Sequence, residues 1–254
     1  EKKYGGSIES VLVYEQDSEK QLQEIQDSDT TQKKLQEEIS SMERELKAKA
    51  AEITKNRIQA SAGLQEKIVG ELVQLGMPKV RFSVKIEDRT GEGGKVLYSS
   101  TGKDKIEFLI SPNPGEPYKR LAQIASGGEL SRIMLAIKSV LAESDHIGSL
   151  IFDEVDAGIG GEVAIAVGER LKRLARRKQV LCITHLATIA AQADNHIKVE
   201  KVTQAGRTVT RVSAVSGNER QQEIARMLAG DKTGDTSLKH ARELLLKYGV
   251  AKGG

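Results

Sequence analysis

From about residue 17 to residue 76 the chain has no proline and is rich in Glu, Lys, Gln and Ala. Proline is what a helix interior tolerates least, and alanine and the straight-chain residues are what it tolerates best. Apolar residues recur at Leu35, Ile39, Met42, Leu46, Ala50 and Ile53, in steps of 4, 3, 4, 4 and 3, and continue as Leu64, Ile68, Leu72 and Leu75. Such steps put side chains on one face of a helix. The spacing therefore predicts one long helix with a single narrow apolar stripe, and the two successive steps of 4 are a stutter in a heptad pattern. At 1.5 Å per residue its length is roughly 80–90 Å. A stripe this narrow buries too little to hold so long a helix alone. No second matching segment follows, so the partner strand of coiled coil is expected from an absent N-terminal half or from another chain. Residues 1–16, around Tyr4-Gly5-Gly6, read as a short helical or turn segment, with Ser7 as a candidate cap for a helix carrying Ile8, Val11 and Leu12.

Gly76-Met77-Pro78 ends the helix. Val80 to Ile86 alternates with period two, as a half-buried strand does. Gly91-Glu92-Gly93-Gly94 predicts a turn and Lys95–Ser99 a return strand. Ile106–Ile110 predicts a further strand, stopped by Pro112, Pro114 and Pro117. A helix is expected over 127–143. Leu150-Ile151-Phe152 and Val180 to Thr184 are continuously apolar, as strands covered on both faces are. With a helix over 161–177 between them they make a βαβ unit, whose two strand ends share the sheet edge where α/β proteins bind ligands. A short helix at 186–193, strands near 196–202 and 208–215 around a Gly206 turn, and helices near 219–229 and 237–248 complete the chain. The fold class is thus α/β, with an arm over 1–78 and a globular part over 79–254.

Charge divides along the same line. Residues 1–78 carry 11 Lys+Arg against 15 Asp+Glu, and the remainder 28 against 21. The mild basic excess of the globular part suits nucleotide or DNA phosphates, and equally a solvated surface. Aromatic residues make up 3% of the chain, too few for a base-stacking platform. No apolar run approaches the roughly 20 residues of a membrane helix. The single Cys182 excludes an internal disulfide and fits a reducing compartment.

Four places carry candidate chemistry. Asp153-Glu154 closes the first buried strand. It is either a polar strand end or a pair in which one carboxylate holds Mg²⁺ and the other orients or deprotonates water. His185 closes the second strand, either as a cap or as a group for a γ-phosphate or the attacking water. Ser126-Gly127-Gly128-Glu129 opens the 127–143 helix. Ser-x-x-Glu is a capping box, yet two glycines cost up to ~1 kcal/mol each in a helix, and a first turn without side chains lets an anion approach the backbone N–H groups. The run Arg170, Lys172, Arg173, Arg176, Arg177 and Lys178 reads as a solvated face sooner than as a DNA contact. Cys182 reads as inert core, and His146, His196 and His240 show no metal-ligand spacing. No Gly-x-x-x-x-Gly-Lys-Ser/Thr loop occurs. Gly102-Lys103 and Gly230-Asp231-Lys232-Thr233 are partial echoes only.

In order and spacing these pieces resemble the C-terminal head half of ABC ATPases of the SMC and Rad50 type, in the branch of the bacterial RecN repair proteins. The resemblance rests on Asn113-Pro114-Gly115-Glu116-Pro117, on Ala125 to Arg132, on Ile151 to Gly161 and on Cys182-Ile183-Thr184-His185-Leu186. Val155, where ABC transporters usually carry proline, speaks against a transporter subunit. The resemblance implies that Ser126, Gly127, Gly128 and Glu129 form the signature motif contacting the γ-phosphate of ATP on an opposite head. By the same token Asp153 is the Walker B carboxylate for Mg²⁺, Glu154 the catalytic base, Asp156 a residue of the D-loop at the dimer interface and His185 the switch histidine. The P-loop would lie in an N-terminal half of the same protein, absent from a chain that starts at Glu1. ATP sandwiched between the heads of a homodimer, DNA as a partner, no membrane, and a cytoplasmic, nucleoid-associated location complete these expectations. The alternatives are a non-catalytic coiled-coil module and another SMC-type ATPase. Glu154 favours catalysis, and an arm of roughly 60 residues favours the RecN branch over the longer SMC arms.

Overall fold

The structure, a computed structural model, describes residue 4 and residues 6–204, 207–230 and 234–248. Gly5 of the expected N-terminal segment, the Gly206 turn and Asp231-Lys232-Thr233 lie outside the described residues. The chain packs as two units, one of Glu1–Gln59 with Glu87–Lys105, the other of Ala60–Ile86 with Ile106–Gly254.

In the first unit helix α1 (Ile8–Gln74) begins. Ser7 caps it, its Oγ accepting from the Ser10 N–H at 3.2 Å while the Ser10 Oγ accepts from the Ser7 N–H at 3.2 Å. Residues 8–16 of the segment expected over 1–16 are therefore part of one continuous helix of 67 residues, roughly 100 Å long. Nothing in the sequence after Ser7 stops a helix, so propagation simply continues. Salt bridges at Glu43–Lys47 and Glu45–Lys49, with the acid N-terminal to the base, support its exposed surface. The stripe is bare along this stretch, with Leu35 53% and Met42 66% exposed.

Residues 87–105 clasp the same unit. Asp104, its side chain fully buried, accepts from the Thr54 hydroxyl at 2.6 Å and from Arg57 Nη1 at 2.7 Å. Arg57 also donates to the Thr101 carbonyl at 2.8 Å. Gly102, at φ +98°, lies against Arg57 and Ile53. The return strand expected at Lys95–Ser99 does not form. Gly93 and Gly94, at φ 72° and 74°, wind the chain into a tight turn, followed only by isolated bridges Thr90–Val96 and Ser99–Gly102.

In the second unit the last turns of α1 enter the core, with Ile68, Leu72 and Leu75 fully buried. The helix ends in a Schellman motif. Gly76 sits at φ +80°, the Met77 N–H bonds the Leu72 carbonyl at 3.0 Å and the Gly76 N–H bonds that of Val73 at 3.3 Å. Strands β1 (Arg81–Asp88) and β2 (Asp104–Ser111), which belong to this unit up to Ile86 and from Ile106, form a sheet with β3 (Lys119–Arg120) in the order β1-β2-β3, with β2 and β3 antiparallel. Pro117 and the short span hid β3 from sequence reading. Helix α2 (Gly127–Val140) leads to β4 (Ser149–Phe152). Helix α3 (Gly161–Ala175) crosses to β5 (Gln179–Cys182), which pairs parallel with β4 from Ser149–Gln179 to Phe152–Cys182.

One main core joins the end of α1 to the inner faces of α2, α3 and the β4–β5 sheet. The expectation that β4 and β5 are covered on both faces is corrected here. Phe152 points inward, whereas Ile151, Leu181 and Ile183 are 71%, 45% and 59% exposed. Side chains alternate along a strand, and among the described residues no layer lies on the second face. Helix α4 (Ala187–Ala190), the hairpin β6 (His196–Gln204) and β7 (Arg207–Val215), and helices α5 (Gly217–Ala229) and α6 (Asp235–Tyr248) follow. A small-residue cluster of Ala187, Ala190, Ala191, Ile224, Ala225 and Ala241 joins α4 to α5 and α6.

The run at 170–178 is not a uniform solvated face. Arg170 is buried and pairs with Glu71 and Gln74 of α1. Lys172 donates to the Tyr248 carbonyl at 2.9 Å, and Lys178 to the carbonyl of Asp145. Arg177 forms an exposed pair with Glu143.

Candidate functional site

The candidate residues come together where α2 begins and β4 and β5 end. Ser126 is the N-cap of α2, its Oγ accepting from the Glu129 N–H at 3.3 Å. This satisfies one of the donors a helix start leaves unpaired. The two glycines have a packing reason that the sequence does not display. A Cβ on Gly128 would lie 2.7 Å from that of Ala157 and 3.1 Å from the Glu154 carbonyl. A Cβ on Gly127 would overlap Glu154 Oε2. The loop leaving β4 thus passes directly over the first turn of α2, and it brings a carboxylate to the positive end of the helix dipole.

Glu154 is the one described residue other than glycine with positive φ, at 56°. For a residue with a Cβ this conformation costs about 1–2 kcal/mol, and strain of this kind gathers at functional sites. Several bonds hold the turn around it. Asp153 Oδ1 accepts from the Glu154 N–H at 2.9 Å. The Ser131 hydroxyl donates to the Asp153 carbonyl at 2.6 Å. Arg132, buried within α2, donates from Nη1 to the Ala157 carbonyl at 2.9 Å. Burial also depresses the Arg132 pKa from its ordinary value, with the Glu129 charge opposing the shift.

Asp156 is buried, with 3% exposure, and it joins the two strand ends. Its Oδ2 accepts from the Thr184 hydroxyl at 2.5 Å and from the His185 backbone N–H at 2.9 Å, and lies 3.0 Å from His185 Nδ1. The His185 side chain is 73% exposed. Thr184 completes the turn, its Oγ1 accepting from the Leu186 N–H at 3.0 Å. Cys182 lies just below. Burial, then the charges of Asp156 and Asp153, push its thiol up to about 12, so it stays protonated and unreactive.

The structure therefore links Ser126, Gly127, Gly128, Asp153, Glu154, Asp156 and His185 through contacts of a few residues. Sequence reading missed the supporting residues Ser131 and Arg132, and took Thr184 only as a candidate cap of the next helix, where its hydroxyl does accept from the Leu186 N–H. Ser131 and Arg132 follow the Ser126 turn by one to two helical turns, which is the only sequence signal that they face the same loop. Among the described residues no group of three or more His, Cys, Asp or Glu side chains could hold a metal ion by itself.

Over 244 residues, 96% of its length, the chain is 44% identical to the DNA repair protein RecN of Treponema pallidum. It is 40% identical over 253 residues to the RecN of Bacillus subtilis and 40% over 243 residues to that of Deinococcus radiodurans. This chain belongs with the RecN proteins. It spans 42–44% of the length of these relatives. No protein-family model matches the chain. Among solved structures it is similar to an Smc head domain with a coiled coil and joint from Pyrococcus yayanosii. The TM-score is 0.58 and the identity 20%, over 86% of this chain and 38% of that one. The RecN segment thus has the α/β fold of an SMC head, with a long helix leading into it. Among the described residues no helix is long and apolar enough to cross a membrane.

Proposed function

We propose that the chain is the C-terminal part of an SMC-like head that binds and hydrolyses ATP in DNA double-strand break repair. The observation that carries the reading is the meeting of the Ser126–Glu129 helix start, the Asp153-Glu154 strand end and the Asp156–His185 pair at one place. The RecN relationship supports DNA repair as the setting.

The residues present fit the nucleotide and its metal. Asp153 commits Oδ1 to the Glu154 N–H, which leaves Oδ2 as the oxygen that would hold Mg²⁺. The Ser126-Gly127-Gly128-Glu129 helix start, already attractive to a carboxylate, would meet the γ-phosphate of ATP held by an opposite head. When bound, Mg²⁺ would neutralise phosphate charge and orient the nucleotide. Glu154 is the group to take the proton of the attacking water, and moving it there requires its carboxylate to leave Gly127. His185 stands at the same edge with Nε2 free to engage water or phosphate. The outer part of the loop after β4, from Ala157 to Gly160, would face the opposite head, whereas Asp156, expected at that interface, is buried beneath it.

The bare β4–β5 face with Ile151, Leu181 and Ile183 is where an N-terminal half carrying the P-loop would pack. A second helix would cover the bare stripe of α1 as coiled coil. Head closure on ATP and release after hydrolysis would then couple nucleotide turnover to holding DNA, in a cytoplasmic, nucleoid-associated homodimer.

Co-expression of the chain with a head half bearing a P-loop, followed by an ATPase assay, tests the proposal. ATP-dependent turnover that Glu154→Gln lowers by about 10²–10⁴-fold is expected for loss of a general base. Turnover unchanged by Glu154→Gln would overturn the role of Glu154. An inactive pair, correctly assembled, would favour the reading as a structural module.

A further inference from the structure

We infer that Asp156 is the positioning residue that sets the tautomer and the aim of His185, so that the neutral ring presents a lone pair at Nε2. The inference rests on the site proposed above, but its geometry is independent of any nucleotide.

A carboxylate with 3% exposure needs donors to offset its lost hydration. Here Oδ2 alone meets three groups of one two-residue turn: the Thr184 hydroxyl, the His185 backbone N–H and His185 Nδ1. The first two would fix the backbone of the turn without any imidazole. The third does something else. An ionised carboxylate only accepts, so Nδ1 must carry the proton. In a neutral ring Nε2 is then the acceptor. An unrestrained imidazole prefers the opposite tautomer, with its proton on Nε2, so Asp156 holds His185 against its own preference. It also keeps the ring beside the turn, because Nδ1 lies 3.0 Å from the same oxygen that accepts from the Thr184 hydroxyl and the His185 backbone N–H. A neutral His185 would take a hydrogen bond from water, and only the imidazolium would donate to a phosphate oxygen. Asp156 itself lies below the surface, so it acts through His185 and not by touching a nucleotide.

Long-range ¹⁵N–¹H correlation spectra of the histidine-labelled chain read the tautomer directly. Assignment uses the signal lost in His185→Gln. The expected result is the Nδ1–H form at His185 in the unsubstituted chain, and the Nε2–H form in Asp156→Asn, whose amide would donate to Nδ1. The signals of His146, His196 and His240 report that the fold is kept. Thr184→Val removes one donor to Oδ2 but keeps the carboxylate, and should keep the Nδ1–H form. An Nε2–H form in the unsubstituted chain would overturn the inference, as would a folded Asp156→Asn with its tautomer unchanged. If Asp156→Asn fails to fold, the unsubstituted chain and Thr184→Val still decide it. In the assembled ATPase, Asp156→Asn should lower kcat by about ten- to a hundred-fold, the usual cost of removing a histidine's orienting partner, with KM little changed. An inactive unsubstituted pair would sink the ATPase reading and leave the spectra to judge Asp156.

Discussion

Alanine substitution at the two glycines of the α2 first turn separates steric necessity from helix preference. Neither residue has positive φ, so in an open helix each change would gain up to about 1 kcal/mol. At Gly128 the new Cβ would meet the Ala157 Cβ at 2.7 Å and the Glu154 and Ala157 carbonyl oxygens at 3.1 and 3.3 Å. None of these is the end of a flexible side chain, so the loop itself must shift. Overpacking of this kind costs about 1–3 kcal/mol, and it outweighs the gain in helix preference. At Gly127 the obstruction is the Glu154 carboxylate, which can turn away into solvent at little cost. We therefore expect Gly128→Ala to destabilise the chain by about 1–2 kcal/mol net, and Gly127→Ala to be close to neutral. At 2–4 °C per kcal/mol for a unit of this size, differential scanning calorimetry should show Gly128→Ala melting about 2–8 °C lower. Equal melting shifts for the two variants, or a stabilised Gly128→Ala, would refute the claim that the β4 loop presses on this turn.

Two further outcomes follow from the packing. Arg170→Met should destabilise the second unit by about 3 kcal/mol, because Glu71 keeps its charge beside a largely buried partner position, and urea unfolding of the paired Arg170→Met, Glu71→Gln variant should recover part of that loss. Asp104 responds to acid. Burial pushes its pKa up, but the Thr54 hydroxyl and the Arg57 guanidinium together hold it below its ordinary 3.8. A depressed carboxylate contributes stability that is full above the unfolded value and lost as the pH falls through the folded one. The Tm difference between the chain and Asp104→Asn should therefore be constant near neutrality and shrink below about pH 4, and a gap unchanged down to pH 2 would contradict the clasp.

Much of this was legible in the sequence, for definable reasons. Helix α1 is long enough for propensity and periodicity to be summed over many turns, and Ser7 and Gly76 mark its ends by local chemistry alone. Ser126 read correctly as a cap because capping is decided within four residues. What failed depended on groups distant in sequence. The glycines at 127 and 128 looked like an invitation to an anion, whereas half of their reason is Ala157, some thirty residues away. Arg170 looked solvated because its partners, Glu71 and Gln74, lie on another helix. Asp156 gave no sign that it would be buried, and Ile151 and Leu181 gave none that they would be bare. A continuous apolar strand reads the same whether one face or both are covered.

The alternation of β4 and β5 also bears on how the chain behaves in a crowded solution. Among the described residues β4 and β5 pair only with each other, and the open edge of such a sheet is a row of backbone groups able to template another strand. Here the edges flank apolar side chains at Ile151, Leu181 and Ile183, and no charged residue lies within β4 or β5 to repel a second copy. A surface of this composition lowers the solubility of the segment in its own right, because contact between like faces removes apolar area from water without any specific fit. Its handling as a separate chain is thus governed less by the strength of its core than by how long that face stays in contact with solvent.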